Sequence, residues 1–236
     1  MRSIVAAMAA YVFAATAAWA ECSDDALGTA RTITVDPNRL GRVGTMQYAR
    51  TLPLDDKEVV LTFDDGPLPP YSTRILDILA AQCVKATFFV VGQQARQFPE
   101  VVRRTYDDGH TVATHSAHHP RAFDRLPERR VTAEINDGLA LTAAALGDAR
   151  APAPFFRAPG LRISHTAEAY LASRTMTVWS ADVVADDWRH IPARQVVKRA
   201  LDRLAAKGKG VLLLHDIQPA TALALPDLLE ELKARG

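Results

Sequence analysis

The stretch Glu58-Val59-Val60-Leu61-Thr62-Phe63-Asp64-Asp65-Gly66 predicts a buried strand that ends in two adjacent carboxylates. Two unpaired negative charges at the rim of a packed sheet cost on the order of several kcal/mol, so a bound cation is expected beside them. Two other strand-like runs end similarly, one at His115 to His119 and one at His215-Asp216. These strand ends supply the groups of a metal-assisted hydrolytic site.

Strand-like and helix-like segments alternate from Glu58 onward. Repeated βα units predict an α/β fold with a mainly parallel sheet and outer helices, either open or closed into a barrel. In both forms, active sites lie at the carboxyl ends of the strands. The predicted strands are 59–63, 86–91, 111–114, 154–157, 176–180 and 211–215, and the predicted helices are 72–82, 99–108, 127–146, 164–173, 192–207 and 221–234.

Length and charge limit the class of protein. A chain of 236 residues fits one large domain. The formal net charge is +1 with both signs interspersed, which argues against a nucleic-acid partner and against a polybasic membrane surface. We expect a monomer.

The N-terminal residues 1–20 have the pattern of a secretory signal peptide. A positive Met1-Arg2 precedes an apolar run and Ala18-Trp19-Ala20, which fits an A-x-A cleavage site. The apolar run of roughly 15 residues is short for a membrane span, which needs about 20. A cleaved signal therefore predicts a secreted or periplasmic protein without a stable membrane anchor.

The two cysteines, Cys22 and Cys83, would then lie in an oxidising compartment. A disulfide between them would tie residues 21–57, which we interpret as an extended N-terminal arm, to the body of the protein. Two independent free thiols are the alternative. The disulfide is favoured because export is predicted.

His115 and His119 are four residues apart, so one helical turn would put both imidazoles on the same side. With Asp65 they would form a His₂Asp set that leaves positions open for water and substrate. Such a set suits Zn, and also Co, Ni or Mn. His118 would project elsewhere and is assigned no role. A surface histidine cluster and a solvated Asp-Gly turn are the structural alternatives.

Three other segments carry weaker signals. Arg157 follows two aromatic residues at a strand end and could pair with a carboxylate of the site, while Gly160 would let its N–H approach a ligand. The acid cluster beside Trp188 suits sugar binding, or simply the charged start of a helix. His215 is suited to be a general acid for a leaving amine, although a satisfied core histidine is the usual alternative.

Together these segments resemble the polysaccharide deacetylase family, also called the NodB-homology or carbohydrate esterase family 4 domain. The resemblance covers roughly residues 58–235 and implies a distorted (β/α) barrel with metal-dependent N-deacetylase activity. Residues 58–236 are expected to be the catalytic domain. The matching segments are Thr62-Phe63-Asp64-Asp65-Gly66, His115-Ser116-Ala117-His118-His119-Pro120, Arg157-Ala158-Pro159-Gly160, Asp187-Trp188 and Leu213-Leu214-His215-Asp216.

The resemblance also implies roles for individual residues. Asp64 would be the base that activates the hydrolytic water, and His215 would protonate the departing amine. Arg157 would orient Asp64 and would itself be tethered by Asp187, or by Asp186 because the acid segment is longer here than in the common family pattern. The implied metal ligands are Asp65, His115 and His119, and the implied substrate contacts are the Gly160 amide, Trp188 and Leu213.

The implied substrate is an N-acetylglucosamine-containing polysaccharide such as peptidoglycan, a chitin-like polymer or an exopolysaccharide. Gly160 stands where family members often carry an aromatic residue, so one wall of the substrate site is expected to be absent. Two alternatives stay open. The first is hydrolysis of another non-peptide C–N bond in a small amide, and the second is a non-catalytic glycan-binding module.

Overall fold

A computed structural model describes residues 22–147 and 151–236, and the predicted signal peptide lies outside these residues. The strands form one eight-stranded sheet in the order β1-β6-β5-β4-β3-β2-β8-β7, and all neighbours are parallel. The strands are β1 Arg42–Val43, β2 Val59–Asp64, β3 Thr87–Val90, β4 Thr111–Thr114, β5 Phe155–Arg157, β6 Thr177–Trp179, β7 Val183–Val184 and β8 Gly210–His215.

Helices follow β2, β3, β4, β5, β7 and β8 and cover the outside of the curled sheet, which confirms the predicted distorted (β/α) barrel of mainly parallel strands. Within the described residues, none of them is long and apolar enough to cross a membrane. The α-helices are α1 Tyr71–Ala81, α2 Gly92–Gln97, α3 Pro99–Asp107, α4 Glu128–Leu146, α5 His165–Ser173, α6 Ala193–Lys207 and α7 Pro219–Arg235.

All six predicted strands are present, but the sequence patterns missed β1, β7 and the short helix α2. The two missed strands are two residues long, so they show no alternation of apolar and polar residues. Strand β1 belongs to the N-terminal arm and pairs with β6 at one edge of the sheet. The arm is thus part of the sheet and not only a wrapping around it.

Alternation along the strands directs side chains to both faces of the sheet, and buried apolar residues of the described chain form three clusters. Phe63 and Leu212 pack outward against the helices in the large core cluster. Phe89, Trp179 and Val211 belong to a second cluster, to which Val43 of β1 and residues of the arm contribute. On β2, Phe63 lies in the outer layer, so its neighbours Thr62 and Asp64 point to the opposite face, into the barrel.

Besides the β1–β6 pairing, a disulfide and a buried carboxylate fix the arm to the barrel. The predicted disulfide between Cys22 and Cys83 is confirmed. At the second of these places, which we call the seam, the carboxylate of Asp182 accepts hydrogen bonds from the N–H groups of Thr45 and Val211 and from the hydroxyls of Thr45 and Thr51. This one side chain therefore joins the arm to β8.

Candidate active site

The predicted metal ligands Asp65, His115 and His119 converge at the carboxyl ends of β2 and β4. Oδ1 of Asp65 lies 3.3 Å from Nε2 of His115 and 3.2 Å from Nε2 of His119. The three ligand atoms lie within 4.8 Å of one another, and the buried Asp65 Oδ1 accepts no hydrogen bond in the described part of the chain. A carboxylate oxygen and two imidazole nitrogens in this arrangement fit a divalent cation.

The expected helical turn between His115 and His119 is wrong, because a loop follows β4 in which Ser116 (φ 67°) and His119 (φ 52°) are left-handed. The hydroxyl of Ser116 accepts the N–H of His119, and its carbonyl accepts the N–H of Gly92. Nδ1 of His115 lies 2.7 Å from the carbonyl oxygen of Arg157. Because that carbonyl only accepts, Nδ1 donates and Nε2 keeps its lone pair for a metal.

The charges around the triad follow from this geometry. Burial alone would raise the pKa of Asp65, but the adjacent imidazole of His115, followed by the charges of His215 and His119, holds the pKa well below its usual range. Burial, followed by the nearby charge of His115, lowers the pKa of His119. An ionised carboxylate and a neutral imidazole are the forms that bind metals.

Asp64 is paired with Arg157 inside the barrel, where both side chains are almost fully buried. Nη1 of Arg157 donates to Oδ1 of Asp64 (2.6 Å) and to the hydroxyl of Thr62 (2.8 Å), and Nη2 donates to the Ser180 carbonyl. The guanidinium also lies over the ring of Phe89. The predicted pairing of Arg157 with a site carboxylate is therefore present.

The predicted tether between Arg157 and either Asp186 or Asp187 is wrong. Asp187 instead accepts hydrogen bonds from the N–H of His215 and the hydroxyl of Thr221, and its Oδ1 lies 2.9 Å from Nδ1 of His215. Asp186 pairs with arginines of α6. The acid segment turns outward after β7, so its carboxylates reach β8 and α6 rather than the barrel interior.

His215 lies next to Asp64, its partner in the β2–β8 register. Burial alone would lower the pKa of His215, but the hydrogen bond and charge of Asp187, with the charges of Asp65 and Asp64, raise it to about 9. The imidazole is thus protonated at neutral pH, and Nε2 is the nitrogen that Asp187 leaves free.

The predicted substrate contacts occupy different environments. Leu213 is buried in β8, whereas Trp188 is 48% exposed with the Arg189 guanidinium 4.6 Å from its ring centroid. Gly160 is exposed with φ +58°, and a Cβ there would meet nothing within 4 Å. The open space at Gly160 agrees with the expected absence of an aromatic wall.

Sequence reasoning missed two residues, Thr62 and Glu134, whose side chains contact residues at the site. The strand alternation of β2 could have identified Thr62, because residues two apart share a face and Thr62 lies two before Asp64. Glu134 of α4, which is buried against the loop that carries both histidine ligands, has no local sequence signal. Its partner is His118, the histidine to which no role was assigned.

Comparison with known proteins finds similarity to one family. The family described as "Polysaccharide deacetylase" matches residues 51–179. A peptidoglycan-N-acetylglucosamine deacetylase of Listeria monocytogenes is 33% identical over 77% of this chain, but the match spans only 37% of that protein. A chitooligosaccharide deacetylase of Sinorhizobium fredii is 34% identical, with 77% of this chain and 84% of that protein covered.

The chain is also similar in fold to solved structures. A peptidoglycan deacetylase of Bdellovibrio bacteriovorus superposes with a TM-score of 0.77 and 32% identity. The superposition covers 87% of this chain and 56% of the Bdellovibrio protein.

Proposed function

The chain belongs to the polysaccharide deacetylase family, and we propose that it is a metal-dependent hydrolase that removes N-acetyl groups from an N-acetylglucosamine-containing polysaccharide. One observation carries the proposal. The Asp65, His115 and His119 triad lies beside the buried carboxylate of Asp64, whose Oδ2 is 3.9 Å from Nε2 of His115, and His215 is the register partner of Asp64 on β8. This arrangement supports the assignment of a base and an acid beside one cation site.

The Asp65, His115 and His119 triad would hold the cation, which when bound supplies Lewis-acid chemistry that polarises the amide carbonyl and lowers the pKa of water. Asp64 would accept the proton of the attacking water, oriented by the charge-assisted hydrogen bond that Arg157 donates to its Oδ1. His215 would donate a proton to the departing amine nitrogen, oriented by Asp187. The N–H of Gly160 would stabilise charge on the carbonyl oxygen.

Three further properties belong to the proposal. Zn suits the His₂Asp set best, and Co, Ni or Mn would also fit. Secretion or export to the periplasm is supported by the N-terminal pattern and by the Cys22–Cys83 disulfide. Peptidoglycan and chitin-like glycans are the candidate substrates because the relatives described above are a peptidoglycan deacetylase and a chitooligosaccharide deacetylase. Trp188 and Leu213 would line the site for the acetyl group.

The proposal is tested by acetate release from N-acetylglucosamine oligomers, peptidoglycan and a panel of small amides, with chelation and metal add-back. We expect release from the glycans alone, lost on chelation and restored by Zn. Asp64→Asn should abolish release while the metal content measured by elemental analysis stays unchanged. Asp202→Asn, which removes an exposed acid paired with Lys198, is the matched control. Full activity of Asp64→Asn, or release from the small amides alone, would refute the proposal.

A further inference from the structure

A buried glutamate orients a histidine that the mechanism above does not use. Glu134 is 5% exposed, and its Oε2 accepts the backbone N–H of His118 at 2.9 Å. Its Oε1 lies 2.8 Å from Nδ1 of the same histidine. Because a carboxylate accepts at both oxygens, Nδ1 carries a proton that it donates to Glu134, and Nε2 is left for another partner.

The same arrangement occurs at His215. Asp187 also accepts both the backbone N–H and the Nδ1 side of its histidine, at 2.7 and 2.9 Å. In both pairs, two contacts from one buried carboxylate fix the rotation of the imidazole. The pairs differ in exposure, since the His118 side chain is 49% exposed and that of His215 only 14%. The Glu134–His118 pair therefore holds an oriented imidazole toward solvent.

His118 lies on the wall of a cavity of about 580 Å³ that also contains Asp65 and His119. Ligand pockets commonly measure about 300–1,000 Å³, so this volume is sufficient for a small ligand beside the metal triad. Helix α2 forms another wall with Gln93, Gln94 and Gln97. Within residues 22–147 and 151–236, the side-chain amides of these three glutamines have no hydrogen-bond partner.

The chemistry of this wall matches sugar hydroxyls. Amide groups both donate and accept, and the Nε2 of an imidazole held at Nδ1 accepts from a hydroxyl. Such polar groups beside a catalytic centre, on a wall that also carries Arg96, provide specificity for a polyhydroxylated ligand. An apolar ligand would leave these groups unpaired, which costs binding energy.

We propose that His118, oriented by Glu134, is a substrate-binding residue that holds the sugar next to the one being deacetylated. The proposal rests on the deacetylase function proposed above and extends it to the length of glycan that the site recognises. His118 contacts the glycan directly, and Glu134 acts as its positioning residue.

The experiment compares His118→Ala with the unchanged protein on the N-acetylglucosamine tetramer. The loss of one well-oriented hydrogen bond is expected to raise KM about tenfold and to leave kcat within about twofold. In an Asp64→Asn background, which should not turn over, tetramer affinity measured by calorimetry should fall by a similar factor. The affinity for Zn should be unchanged, because His118 is not one of the three ligands.

Two variants provide controls. His118→Gln places an amide near the position of Nε2 and should recover part of the lost tetramer affinity, which a merely structural role would not explain. His165→Ala removes a fully exposed histidine on α5 and should change neither KM nor affinity.

Several outcomes would overturn the inference: an unchanged KM and tetramer affinity in His118→Ala, a fall in kcat at constant KM, or a fall in Zn affinity that accounts for the whole effect. Acetate release that fails in the unchanged protein would refute the deacetylase function instead. The calorimetric comparison would then still decide whether His118 binds glycan.

Discussion

Asp182 at the seam and Asp187 at the rim of the site are five residues apart, and both are buried carboxylates with several hydrogen-bond donors. Both accept from a backbone N–H and a threonine hydroxyl, but the remaining donors differ. Asp182 accepts from backbone N–H groups and threonine hydroxyls that connect the arm to β8. Asp187 accepts from an imidazole whose other nitrogen is free. Burial and hydrogen bonding alone therefore do not distinguish a structural acid from a functional one, whereas the chemistry of the donor does.

The electrostatic consequences differ in the same way. Burial alone would raise the pKa of Asp182, but hydrogen bonds from Thr45, Thr51 and the N–H of Val211 lower it, so the seam keeps a fixed negative charge. At the rim, the charge of Asp187 acts on His215 and raises the pKa of that imidazole. The negative charge of Asp182 at the seam stabilises the fold. The negative charge of Asp187 at the rim favours the protonated form of His215, which can then donate a proton.

The largest expected effect is that of Asp187→Asn on turnover. Without the carboxylate, the pKa of His215 falls from about 9, and the imidazole loses the group that orients it. General acid catalysis typically contributes about 10²–10⁴-fold, so kcat should fall by a factor in this range. His215 acts as an acid only when protonated, so activity in the unchanged protein should decline as pH rises through about 9. In Asp187→Asn this decline, the alkaline limb of the pH profile, should move to lower pH.

Asp182→Asn at the seam is the matched control for this measurement. It makes the same chemical change five residues away and should leave the pH profile of kcat unchanged wherever the protein is folded. An equal loss of kcat in both variants, or an unshifted alkaline limb in Asp187→Asn, would contradict the division between rim and seam.

Much of the fold could be predicted from the sequence because long apolar strands and proline- or glycine-bounded helices carry local signals. Strand β8, for example, has the run Val211-Leu212-Leu213-Leu214 directly before His215. The positions of Asp64, Asp65 and His215 could also be predicted, since parallel strands end at the same edge of the sheet. These parts depend only on sequence neighbours and on topology.

The partners of the acids could not be predicted, because they depend on side chains that are distant along the chain. Arg157 reaches inward to Thr62 and Asp64, 95 and 93 residues away, while Asp187 reaches His215 across 28 residues. The left-handed backbone at Ser116 and His119 likewise arises from packing of the loop against its neighbours. Spacing alone favoured a helical turn there.

A smaller effect, on stability rather than turnover, is expected for Asp182→Ala. Removing the carboxylate leaves the N–H groups of Thr45 and Val211 and two hydroxyls without their acceptor. Leaving buried donors unpaired costs about 1–3 kcal/mol each where water cannot enter, so we expect a loss of about 3 kcal/mol in the free energy of unfolding. Urea unfolding measures this loss, and kcat at a permissive temperature should be unchanged.

The stability that Asp182 contributes should also depend on pH. Its pKa is lowered in the folded state, so the contribution is fully present above the unfolded value of about 3.9 and is lost as pH falls through the folded pKa. The stability difference between the unchanged protein and Asp182→Asn should therefore shrink in acid. A difference that stays constant down to low pH would show that the seam does not depend on the charge.

The smallest effect is expected for Asp186→Asn, which lies between the two regions. Oδ2 of Asp186 lies 2.8 Å from both Arg199 and Arg203 of α6, and both arginines are partly exposed. Solvent screens such pairs, so the variant should lose only about 1 kcal/mol of stability. Asparagine tolerates the left-handed conformation of this residue (φ 58°), so the backbone adds no further cost. A kcat loss approaching that of Asp187→Asn, measured under the same conditions, would show that Asp186 belongs with Asp187 at the rim of the site.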